Sequence, residues 1–148
     1  MLENLITKHK GLKALIITAY IIYLLAVFYL CFFNIKAPEI NLSEYFLGIP
    51  MDKVAHFLMF LPFTFISYLS YKYVPILKTF RKYCISLSFV TGVIIAAATE
   101  IIQALFINGR EGDILDFFAD IVAISIATIA LNIYHYYFRK TSSPISLR

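Results

Sequence analysis

The chain has 148 residues, of which 61% are hydrophobic and only 15% charged. A soluble domain is roughly 45–50% apolar, and so few charges cannot coat a sphere of this size, which excludes a soluble globular protein. The formal net charge of +4 raises nucleic acid as a partner, but the basic residues sit in separate short clusters beside apolar runs, so no nucleic-acid partner is expected.

Lys8, Lys10 and Lys13 precede the first apolar run, which extends over about 14–33. It has the ~20 residues that a membrane-spanning helix needs. It is too long for the apolar region of a signal peptide and lacks a small-x-small cleavage site. The stretch "NIKAPEINLSEYFLGIPMDK" follows, with Pro38, Gly48 and Pro50. An irregular loop is expected there, with a short interfacial helix around Leu42 to Leu47. The second span is predicted over 54–71, opened by "MDKVAHFLMF". At 100° per residue, Asp52, Lys53 and His56 share one helix face.

The loop "KYVPILKTFRKY" carries Lys72, Lys78, Arg81 and Lys82. A third span is predicted over 84–107, with Glu100 and Gln103 one turn apart near its end. "NGREGD" reads as a tight turn, and a fourth span is predicted over 114–138. Asp113, Asp116 and Asp120 fall within about 60° of arc at its start. Arg139, Lys140 and Arg148 follow. Short loops rich in Lys and Arg stay in the cytoplasm. The expected architecture is therefore all-α and polytopic, with four transmembrane helices and both termini cytoplasmic. Residues 1–13 form an N-terminal segment, 14–138 the membrane domain and 139–148 a tail. Cys31 and Cys84 fall near opposite faces, so no disulfide joins them.

Counting ~1.5 Å per residue, Glu100 and Asp120 lie roughly 10 Å below the outer helix ends, with His56 about one turn shallower. Several of these residues have ordinary structural accounts. Asp113 and Asp116 suit an N-cap and first turn, and Asp52 suits a cap of the second span. Lys53 can snorkel, His56 can be a packed histidine, and Gln103 can bond a neighbouring helix. Glu100 and Asp120 are expected to be too deep for caps, and a mid-membrane carboxylate costs about 2.5–3.5 kcal/mol on insertion scales. That expense marks them as functional candidates.

Six acids (Asp52, Glu100, Glu111, Asp113, Asp116 and Asp120) face two bases, Lys53 and Arg110. The surplus suits an amine or a divalent cation held by carboxylate oxygens. Arg110 can clamp a carboxylate or phosphate. His56 with a carboxylate can do acid–base work. No Ser or Cys nucleophile lies among these residues, which argues against triad hydrolysis.

"DKVAHFLMF" and "TEIIQALFINGREGDILDFFAD" together resemble the two signature regions of the VanZ-like family of bacterial membrane proteins, over roughly residues 50–130. Asp52, Lys53, His56, Phe57, Glu100, Gln103, Arg110, Asp113 and Asp116 match the family pattern. The chain departs from it at Asp120 and Ala123, where members often carry an Asn followed by a glycine. The resemblance implies a multi-pass protein of the bacterial cytoplasmic membrane, in a family named for a protein linked to low-level glycopeptide resistance.

The expectation is thus a polar site open to the outer leaflet, binding or acting on a lipid-linked or cell-wall precursor. His56, Glu100, Asp116 and Asp120 are the catalytic candidates. Asp52, Lys53, Gln103, Arg110 and Asp113 are the substrate-binding ones. The alternative is a non-enzymatic scaffold or accessory protein in the bilayer, with a structural polar core or a cation site. A transporter is the weakest reading, because the polar groups leave no continuous path across four spans.

Overall fold

A computed structural model describes residues 10–32, 45–73, 82–106 and 113–141. The elements in chain order are helix α1 (Lys10–Phe32), a hairpin of strands β1 (Tyr45–Phe46) and β2 (Ile49–Pro50), and helices α2 (Met51–Tyr73), α3 (Cys84–Phe106) and α4 (Ile114–Thr141). The four helices are each long and apolar enough to cross a membrane. In hydrocarbon a helix satisfies its own backbone groups, which is why such apolar runs take this form.

Two expectations need correction here. The segment before α2 is a β-hairpin, not a short helix, over the described part of 42–47. Tyr45 pairs with Pro50 and Phe46 with Ile49. The turn residues Leu47 and Gly48 have φ of 52° and 81°. Two successive positive φ values are what a type I′ hairpin turn requires, and they are incompatible with a right-handed helix. The second correction is that α2 starts at Met51, about one turn before the expected boundary. Asp52 lies inside its first turn, where an acid meets the positive end of the helix dipole.

Side-chain pairings set the helix directions. Lys53 meets Asp116, His56 meets Asp120, and Tyr68 meets His135 at the far end. Hence α2 and α4 run parallel. Glu100 approaches His56, whereas Tyr71 bonds Thr91, so α3 runs the other way. The α2–α4 interface is the most extensive, with α3 packed on both and α1 resting on α2. We call the end with the starts of α2 and α4 the acidic end.

Between the ends lies an apolar layer. Phe60, Ala96, Ala123 and Ile124 are wholly buried and pack with Val27 and Cys31 of α1. Cys84 packs instead near the far end with Tyr68 and Leu131. The buried stripe of α3 is Ser88, Gly92, Ala96, Thr99 and Gln103. Small residues at four-residue spacing allow close helix approach. A Cβ on Gly92 would stand 3.1 Å from Ile124 Cδ1 and 3.3 Å from Phe63 Cε1, so a larger residue there requires these side chains to give by a few tenths of an ångström.

Candidate functional site

The acidic end brings together His56, Glu100, Asp116 and Asp120, and beside them Asp52, Lys53 and Asp113. Arg110 and Glu111 lie outside the described residues. Because α2 begins at Met51, His56 stands five residues into its helix and Asp120 six into α4. The two therefore share one level, and the expected one-turn difference in depth disappears.

His56 is 2% exposed and Asp120 0%. Imidazole Nδ1 is 3.2 Å from Asp120 Oδ1 and 3.4 Å from Oδ2. A carboxylate can only accept, so Nδ1 carries the proton and donates it. In the neutral ring Nε2 keeps its lone pair, and it lies 3.8 Å from Asp116 Oδ2. Glu100 Oε1 is 3.8 Å from Nδ1. One imidazole is thus ringed by three carboxylates from two other helices.

Lys53 is the hub of the outer tier. Its Nζ donates to Asp113 Oδ2 at 2.5 Å, Asp116 Oδ1 at 3.0 Å and Asp52 Oδ2 at 3.2 Å. The three ammonium protons find three carboxylates, which is its full donor capacity. Lys53 is 14% exposed along its side chain, so it does more than snorkel.

Asp113 caps α4. Its Oδ1 accepts from the Leu115 N–H at 2.8 Å, satisfying one of the first-turn donors that a helix leaves over. The Lys53 ammonium beside it holds its carboxyl below the usual carboxylate range, helped by the Leu115 N–H. Glu100 serves the same helix start from α3: its Oε2 accepts the Asp113 N–H at 3.1 Å. The expectation that Glu100 lies too deep to take part in a cap is therefore corrected. The long side chain spans the difference between the two helix levels.

Gln103 turns away from this cluster. Its Nε2 donates to the Cys31 carbonyl at 2.8 Å. That carbonyl belongs to the last turn of α1, where helical donors have run out. Tyr23 ties α1 to α2, donating to the Met59 carbonyl at 2.6 Å. Sequence reasoning missed Tyr23, because nothing in an apolar run signals which tyrosine meets a partner.

Two openings flank the cluster. One is an apolar groove of about 850 Å³ between the hairpin, α2 and α4, walled by residues such as Phe46, Leu47, Phe57 and Phe118, with Lys53 among its lining. The other, about 340 Å³, lies between α3 and α4 and includes Glu100, Asp113 and Phe117. A site with polar groups beside apolar walls suits an amphiphilic ligand. No family model, curated protein or solved structure matches the chain.

Proposed function

We propose that this chain is a VanZ-like multi-pass protein of the bacterial cytoplasmic membrane, with both termini inside and the acidic end at the outer leaflet. Its polar cluster binds or acts on a lipid-linked cell-envelope molecule. The observation that carries this reading is Lys53, which belongs to both compartments: it contributes to the wall of the 850 Å³ groove, while its ammonium sits among Asp52, Asp113 and Asp116. A lipid tail would lie in the groove and its polar head against the cluster, where His56 and the carboxylates offer proton transfer. The basic loops at 72–82 and after the fourth span support the orientation.

A scaffold with a structural polar core is the second reading. It is favoured by the same bonds, since Lys53 joins α2 to α4 and Glu100 ties α3 to the start of α4. The two readings separate in Glu100→Gln and Arg110→Ala. The glutamine amide oxygen still accepts from the Asp113 N–H, so the fold is kept. Native mass spectrometry on protein released from nanodiscs of bacterial lipid extract is expected to find a lipid-linked molecule retained by the wild type. Both variants are expected to lose it at unchanged accumulation and unchanged melting temperature in chelator. Wild-type retention in both would sink the site, and joint loss of binding and stability would favour the scaffold.

A further inference from the structure

His56, Glu100 and Asp116 come from three different helices, and one donor atom from each lies within 4.8 Å of the other two. A gathering of acids alone carries no conclusion, but each of these three side chains is held from behind and keeps a second donor atom, with Asp116 Oδ2 3.8 Å from Nε2 and Glu100 Oε1 3.8 Å from Nδ1. Asp120 holds Nδ1 of His56 and leaves the Nε2 lone pair toward Asp116. Lys53 holds Oδ1 of Asp116 and leaves Oδ2 toward the imidazole. The Asp113 N–H holds Oε2 of Glu100, leaving Oε1 fully enclosed and without a hydrogen-bond donor among the described residues. The Glu100 side chain is only 11% exposed, so water does not make up the deficit readily. A buried carboxylate oxygen with no donor is costly, and a cation removes that cost.

We infer that His56, Glu100 and Asp116 form a site for one divalent transition-metal ion of the Zn²⁺ or Mn²⁺ class, with Asp120 as the residue that positions the imidazole. The carboxylate–histidine arrangement is the usual way a ligating ring is fixed in tautomer and direction. An imidazole among the ligands favours a transition metal over Mg²⁺ or Ca²⁺, which take oxygen donors. Donors bound at ~2.0–2.2 Å stand closer together than the 3.8 Å between Nε2 and Asp116 Oδ2, so the side chains draw inward by a small rotation when the ion enters. Three protein ligands leave a coordination position open. The ion site does not depend on the lipid-linked molecule proposed above, and it can be counted on protein that holds no lipid.

The test uses full-length protein in detergent, stripped with chelator, dialysed against Zn²⁺ or Mn²⁺, and assayed by elemental mass spectrometry and thermal unfolding. The wild type is expected to retain about one ion per chain and to melt higher with it, following ligand linkage. His56→Asn and Glu100→Gln are each expected to lose the ion, and Asp120→Asn to bind it roughly 10–100-fold more weakly. Tyr71→Phe, at the far end of the bundle and outside the cluster, is expected to bind as the wild type does. Should His56→Asn fail to fold, Glu100→Gln carries the test, because it keeps the bond to the Asp113 N–H. Folded wild-type protein that retains neither metal overturns the assignment. So does undiminished occupancy in Glu100→Gln, or loss of the ion in Tyr71→Phe.

Discussion

The two ends of the bundle join the same three helices by opposite means. At the acidic end the links run through charged groups: Lys53 with three carboxylates, and His56 donating to the Asp120 carboxylate. At the far end they run through hydroxyls and rings. The Tyr71 hydroxyl donates to Thr91 Oγ1 at 3.1 Å and lies 3.1 Å from the Tyr20 hydroxyl, and Tyr68 bonds His135 edge-on to its ring. Between them Ser67, Ser88 and Thr99 turn their hydroxyls back onto their own helix carbonyls, a local bond that fixes no neighbour. Hydroxyls and rings are enough to hold helices together. Links through charged groups cost more to bury.

The comparison is broken most sharply at Asp120. Asp120→Leu leaves a buried imidazole without its acceptor, and the expected loss is about 3 kcal/mol, measured by equilibrium unfolding in mixed micelles. Replacing both partners with leucine is expected to recover most of that stability, because an apolar pair needs no desolvation. If the double variant regains stability and still fails to retain a lipid-linked molecule or an ion, stability and function are separated at this pair. If the single variant is as stable as the wild type, the acidic end does not hold the bundle together.

The far end has smaller stakes. Tyr71→Phe removes the bridge between Tyr20 and Thr91, and a typical hydrogen bond contributes about 1 kcal/mol. The same unfolding assay should show a loss of that order with the acidic end unaffected. A loss matching that of Asp120→Leu would mean that the two ends are not energetically distinct.

The smallest effect concerns acid. Asp113 has a carboxyl held below its ordinary value by Lys53, so its contribution is fully present above the unfolded value of about 3.9. It fades as pH falls through the depressed folded value. Melting temperature should therefore decline on acidification below about pH 4, and Asp113→Asn should flatten that part of the curve. An unchanged curve in Asp113→Asn would show that the acid dependence arises deeper in the cluster.

Much of this was legible in the chain. The four apolar runs are long enough to dictate helices, and helical spacing alone put Asp113, Asp116 and Asp120 on one face. The Asp113 cap was legible too, because its geometry is local and depends only on the residue before the first turn. What escaped were contacts across helices. Gln103 is one turn from Glu100 in sequence, yet it serves the end of α1 while Glu100 serves the start of α4. Helix rotation and relative height decide such partners, and neither is encoded in periodicity.

The sequence by itself determined where the apolar helices run and that the acidic residues within them gather toward one end. Those follow from hydrophobicity and a 3.6-residue period, which are properties of each segment alone. Only the tertiary structure decided that His56 sits level with Asp120, that Lys53 meets three acids, and that Glu100 keeps one buried oxygen without a donor. The physical reason is that these depend on how far each helix slides along its neighbour. The close seat of Gly92 against Ile124 and Phe63 and the start of α2 at Met51 are part of that fit.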